Sequence, residues 1–252
     1  MKLLVINPFA TDAYDEKISN VIESVTREDT SIVVEHLDRG LPFIRHAYFQ
    51  SLIVPDIVER IYQAEKEGFD GVFVSCIFEP GVKEAKELVD IPVIGGSVPN
   101  IFLARQLGQR FAFLTDTPRA DAITYDLFKQ NKLDTECVGI KSVDMGVEDI
   151  KKYPEKSQER IIEHIKEFRS QGADVIINGC TVLAAFFEKE NIPSELQNIP
   201  IIDTNVGSIK TLEMMVDLHQ KYNLTVSRDV SYQKPQDLEP SAFEQVRKTY
   251  GY

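Results

Sequence analysis

Short apolar runs and amphipathic stretches alternate along this chain. Residues 2–7, Lys-Leu-Leu-Val-Ile-Asn, form a nearly continuous apolar run closed by Pro8, the pattern of a strand buried on both faces. A helix from about Tyr14 to Glu28 follows, with Asp12 or Thr11 as its cap and Ile18, Val21, Ile22 and Val25 on one face. Residues 31–37 read as a second strand. A loop with Gly40 and Pro42 leads to a helix from about Pro55, carrying Ile57, Val58, Ile61 and Tyr62 and stopped by Gly68. Residues 71–76 give a third strand and 92–95 a fourth, with helices over roughly 80–89 and 98–107. Such alternation predicts a parallel sheet with helices on both faces.

The pattern then repeats. Glu-Gly-Phe-Asp-Gly-Val-Phe-Val-Ser-Cys ends at Cys76, and Gln-Gly-Ala-Asp-Val-Ile-Ile-Asn-Gly-Cys ends at Cys180, 104 positions later. The same shift carries Gly68 onto Gly172 and Asp70 onto Asp174. A shift of 108 carries Ile91-Pro92-Val93-Ile94 onto Ile199-Pro200-Ile201-Ile202, and the strand end Asn7 onto Thr115. Four landmarks in one order predict an internal duplication: an α/β fold of two pseudo-symmetric lobes, each a short parallel sheet with flanking helices. The expected division gives residues 1–98 plus 206–252 to the first lobe and 99–205 to the second. A helix over about 205–220 crosses back to the first lobe, and the polar tail from about Thr225 reads as mostly extended chain with one short helix.

Composition narrows the partners. The 252 residues carry a formal charge of −12, which opposes nucleic acid and anionic membrane surfaces. No apolar run approaches the ~20 residues of a membrane span, and the amino-terminal run is too brief for a signal peptide. Three cysteines make no disulfide framework, so they read as reduced thiols of a cytoplasmic protein. His36, His46, His164 and His219 show no zinc spacing, and no glycine-rich phosphate loop is present. The expectation is no metal and no cofactor.

In open parallel sheets ligands bind beyond the carboxyl ends of the strands, an edge that holds Asn7, Cys76, Thr115 and Cys180. A lone strand cysteine is usually packing. Two at equivalent strand ends, one on each side of a cleft, are what two-base proton transfer at carbon requires: a thiolate on one face and a thiol on the other. Cys137 aligns with the interior of a strand and reads as core. The backbone around Ile77 and Phe78, with Pro80 at a first helical position, and the stretch from Thr181 are placed to face a substrate carbonyl. Thr115-Asp116-Thr117-Pro118 reads either as site or as helix cap, and Asn7 either as ligand group or as a tie for loop 8–12. Gly95-Gly96-Ser97 admits a ligand or turns the chain. Phe9 and Phe78 are an apolar wall or core.

These residues resemble the aspartate/glutamate racemase superfamily, and most of all its hydantoin racemase branch. The resemblance spans roughly residues 2–218. It is carried by VINP at the amino terminus, VPDIVERIYQAEKEGFDGV, CIFEPG, IPVIG, LGQRFAFLT and GADVIINGCT. It implies catalytic roles for Cys76 and Cys180 with no cofactor or metal. The strand-end reading adds Asn7, Ile77, Phe78, Thr115 and Thr181 as expected substrate-binding residues, and a homo-oligomer acting on a small molecule is expected. Three departures border the pocket: Glu79-Pro80-Gly81 where relatives carry Asp-Pro-Gly, Asn-Pro-Phe-Ala-Thr for Asn-Pro-Asn-Thr, and Gly96-Ser97-Val98 where an acidic residue is common. The expected activity is racemisation at a carbon α to a carbonyl of a 5-substituted hydantoin or related cyclic ureide. An amino-acid racemase, a maleate-type isomerase on the same scaffold, and a non-catalytic two-lobed binding protein are the alternatives.

Overall fold

The computed structural model describes residues 1–252. Its elements in chain order are β1 (Lys2–Asn7), α1 (Asp15–Glu23), β2 (Ser31–His36), α2 (Ala47–Lys66), β3 (Gly71–Val74), α3 (Val82–Ala85), β4 (Val93–Ile94) and α4 (Val98–Leu107). There follow β5 (Phe111–Thr115), α5 (Pro118–Gln130), β6 (Cys137–Ser142), α6 (Val147–Lys152), α7 (Pro154–Ser170), β7 (Val175–Asn178), α8 (Thr181–Ala185), β8 (Ile201–Asp203) and α9 (Thr204–Tyr222). Two helices end the chain, α10 (Pro235–Leu238) and α11 (Pro240–Tyr250).

Eight strands form two four-stranded sheets of the same topology, β2-β1-β3-β4 and β6-β5-β7-β8, parallel throughout. The expected α/β architecture is therefore present, and the likeness of its halves extends to single bonds. Asp70 accepts the Lys2 amide at 2.6 Å, and Asp174 accepts the Arg110 amide at 3.1 Å, so each pins the entry to its central strand. Gly68 and Gly172, with φ of 78° and 88°, make the same left-handed turn into the strand. The central strands are buried along almost their whole length, as the continuous apolar runs require.

The helices at the strand ends are exchanged. α4 leaves the first sheet after β4 and packs on β5 and β7, burying Ile101 and Ala104 with Phe111, Phe113 and Ile177. α9 leaves β8, capped by the Asp203 carboxylate on the amides of Asn205 and Val206, and packs on β3 and α1. The exchange locks the lobes together. Asn100 on α4 reinforces it, donating to the Gly96 and Thr204 carbonyls and to the Ser208 hydroxyl on α9.

Several local expectations are corrected. α1 stops at Glu23, not Glu28, because the following turn is recruited by buried Glu213 of α9, which accepts from the Arg27 amide and the Thr30 hydroxyl. Neither Thr11 nor Asp12 caps it with a side chain. α2 begins eight residues before Pro55, which lies inside the helix. Proline there removes one main-chain bond, while Ile53, 5% exposed, holds the added turns to the core. The helix expected over 80–89 shrinks to 82–85, and Pro80 precedes it. The tail is more helical than its polarity suggests. Along α11, Phe243 meets Tyr62 edge-on at 6.1 Å, and Arg247 grips both Glu59 oxygens at 2.6 and 2.9 Å. These residues stand four apart, on one face of the helix.

Candidate active site

Cys76 lies two residues beyond β3 and Cys180 two beyond β7, at corresponding places in the two sheets. Both are buried, and both line one small cavity. Ile77, Phe78 and Thr181 also line it, so five of the seven residues singled out in the sequence converge.

Asn7 and Thr115 do not reach the cavity lining. Asn7 donates to Asp15 at 2.5 Å, and the Thr115 hydroxyl donates to Asp121. Both are fully buried and tie a central strand to the helix that follows it. They stand behind the site as an equivalent pair, much as the duplication predicts. Thr181 has its hydroxyl committed to the Ser75 carbonyl at 3.0 Å, which joins the two cysteine-bearing strand ends across the lobes.

Each thiol meets amides of the segment that follows it. The Phe78 N–H points at Cys76 Sγ, 3.4 Å away, and the amides of Leu183 and Val182 face the Cys180 sulfur. These donors favour thiolate but do not prevail. Burial pushes the Cys76 thiol up to about 12, with the negative charges of Asp116 and Glu79 adding to the effect. Burial and the charges of Asp116 and Cys76 likewise push Cys180 well above the ordinary thiol range. A raised thiol pKa means that thiolate is scarce at neutral pH in the empty site. Alkylation by iodoacetamide should therefore climb about tenfold per pH unit from pH 7 to 10, without the plateau of an ordinary thiol near 9. A plateau by pH 8 would contradict the burial-driven shift.

The loop from Cys76 is held open by Glu79. Its carboxylate Oε1 accepts from the amides of Ser97 and Val98 at 2.8 and 2.9 Å, fixing the β4–α4 turn beside the cysteine. Glu79 itself has φ of 52°, a left-handed backbone that costs a non-glycine residue energy. Gly95 is required here, since a Cβ on it would lie 2.3 Å from Glu79 Cγ. The Gly-Gly-Ser stretch thus turns the chain against Glu79 and Cys76, and neither glycine lines the cavity.

Phe43, Ile44, Arg45 and Val147, not identified from sequence, complete the wall with Asp116 and Phe9, which the sequence offered as site or structure. Phe43, Ile44 and Arg45 come from the β2–α2 loop, Val147 from the start of α6, and Asp116 from the end of β5. Arg45 stacks on Phe43 at 4.0 Å and crosses the cleft to Glu148 of α6 at 2.7 Å. Phe9 lines the cavity and packs edge-on against buried Tyr14 at 5.5 Å. Cys137 lies apart on edge strand β6, half-buried. No three His, Cys, Asp or Glu side chains converge to hold a metal ion, and no helix is long and apolar enough to cross a membrane.

The comparisons with known proteins agree with this arrangement. Residues 3–210 match the family described as Asp/Glu/Hydantoin racemase. The chain is 32% identical over 240 residues to a hydantoin racemase of Pseudomonas sp. (strain NS671), covering 95% of this chain and 94% of that one. The allantoin racemase from Klebsiella pneumoniae superposes with a TM-score of 0.83 at 25% identity, over 93% of this chain and 94% of that one. Glutamate racemase from Aquifex pyrophilus shares the fold at a TM-score of 0.55 and 17% identity, over 92% and 86%. A family match across most of the length, on a fold of two like parallel sheets, establishes that the chain belongs to the Asp/Glu/Hydantoin racemase family and is an isomerase of that kind.

Proposed function

We propose that this enzyme racemises a carbon α to a carbonyl in a 5-substituted hydantoin or a related cyclic ureide, using Cys76 and Cys180 as its two proton-transfer groups and no cofactor. The observation that carries this reading is the placement of the two thiols at equivalent strand ends of opposite lobes, lining one small cavity. The relatives named for hydantoin and allantoin support the substrate class. The enclosure suits it too, because most of the lining is apolar and a neutral ring avoids the large cost of burying a charge.

The proton balance is simple. One cysteine, as thiolate, takes the α-hydrogen from its face and becomes a thiol. The carbanion delocalises onto the neighbouring carbonyl. The other cysteine, as thiol, delivers its proton to the opposite face and is left as thiolate. The enzyme ends with the two protonation states exchanged, ready for the opposite enantiomer or for reset through solvent. The high thiol pKa has a use here, since a thiolate that is hard to form is a stronger base toward carbon. Main-chain donors at Phe78, Val182 and Leu183 steady whichever sulfur carries charge.

Optical rotation followed over a panel of single-enantiomer hydantoins, allantoin and free amino acids tests this. Loss of rotation with the cyclic ureides and none with the amino acids is expected. Racemisation confined to aspartate or glutamate would overturn the substrate assignment while leaving the chemistry.

A further inference from the structure

We infer that Asp116 anchors a ring N–H of the substrate and thereby selects neutral cyclic ureides over open-chain carboxylates. The inference rests on the cyclic-ureide reading above and adds to it the group that recognises the ring. Asp116 is 7% exposed and is the single carboxyl residue lining the cavity that holds both thiols. Its carboxyl lines the same cavity as both thiols, and its charge acts on Cys76 and on Cys180 alike.

Asp116 forms no ion pair, and the Arg45 charge acts on it only from a distance. Arg45, the cation on the same wall, is engaged by Glu148 at 2.7 and 2.9 Å. Inside the protein Asp116 receives main-chain N–H groups, its own and that of Thr117, and a long contact of 3.4 Å from the Thr117 hydroxyl. A carboxylate offers about four acceptor positions, so these donors leave room for one more. Burial raises this acid to about 6.

The other polar groups on the wall are spoken for. The Thr181 hydroxyl is bonded to Ser75, and the thiols are reserved for carbon. The acceptor position that remains on Asp116, in the cavity with two thiols, can take a donor carried by the ligand. The N–H of a ureide ring is such a donor and brings no charge. The carboxylate of an amino acid or a ring-opened ureide would place like charge against Asp116 in a low-dielectric pocket. An N–H bond would also draw on the Asp116 charge that opposes thiolate formation, so the ligand that fits eases the ionisation that the reaction needs.

The test uses the full-length enzyme, 5-benzylhydantoin as substrate, and the ring-opened N-carbamoyl-phenylalanine as a competing carboxylate. Asp116→Ala removes acceptor and charge, and Asp116→Asn removes the charge alone. In Asp116→Ala the KM for the hydantoin should rise about tenfold, and in both variants the inhibition constant of the carboxylate should fall about tenfold. If the alanine variant does not fold, the near-isosteric asparagine variant still reads the carboxylate effect. Unchanged inhibition constants in folded variants, beside an active parent enzyme, overturn the role of Asp116 alone. A parent enzyme that racemises no hydantoin overturns the cyclic-ureide reading and this inference with it.

Discussion

Cys76→Ser and Cys180→Ser should each lower racemisation by about 10³-fold or more, while Cys137→Ser should leave it near the parent value. Both cavity cysteines are buried, and a serine hydroxyl in the same place is far too weak an acid and too poorly formed a base to move a carbon-bound proton. Cys137 sits half-buried at the start of edge strand β6 with its thiol against the Gly139 carbonyl, outside the cavity. Its loss should register in stability more than in turnover. The measurement is the initial rate of loss of optical rotation with circular dichroism as the check on folding. A folded Cys180→Ser enzyme retaining half its rate would remove that residue from the chemistry.

A second large effect is expected at Glu79. Glu79→Ala deletes the acceptor for the Ser97 and Val98 amides and frees the turn beside Cys76. It brings no relief of backbone strain, because alanine meets the same Cβ penalty at a φ of 52°. Two buried donors left unpaired cost about 3 kcal/mol together. For a chain of this size that lowers Tm by roughly 6–12 °C. Activity should fall about 10²-fold as the Cys76 loop relaxes. Glu79→Gln separates charge from shape. Both amides bond the same oxygen, which the glutamine side chain can supply, and burial already raises the Glu79 carboxyl above its ordinary range. The glutamine variant should therefore keep most of the stability that the alanine variant loses. Equal melting temperatures for the two would show that the amide bonds contribute little.

Much of this architecture was readable along the chain. The offsets of 104 and 108 that relate Cys76 to Cys180 and Asn7 to Thr115 correspond to two sheets of identical strand order. Buried parallel strands leave a continuous apolar signature, and the ligand edge follows from their direction, which is why the two thiols could be chosen from three. Helix limits were less legible. The eight residues of α2 before Pro55 carry exposed Tyr48 and Leu52 and one buried residue, Ile53, so no clean period marks their start. The brevity of α1 depends on Glu213, which is nearly two hundred residues away in sequence.

The cavity wall was legible only from the strand ends. Asp116 sits between two threonines before a proline, and Thr117 does cap α5 on the Ala120 amide, so the local pattern is fully explained without a site. Only the cleft shows that the acid beside that cap lines one cavity with both sulfurs. Arg45 comes from a loop and Glu148 from α6, more than a hundred residues apart, and no periodicity relates them. Contacts of this kind arise when two lobes close on each other, and a one-dimensional pattern carries no record of them.

The central claim is that the two thiols serve opposite faces of one carbon, and solvent exchange tests it most directly. Each single serine variant is incubated in deuterated buffer with each pure enantiomer of a racemised hydantoin, and the α-proton signal is followed by NMR. The surviving thiolate can remove and return a proton on its own face, so Cys76→Ser and Cys180→Ser should wash deuterium into opposite enantiomers without racemising either. Exchange of the same enantiomer by both variants would contradict the opposed-face geometry.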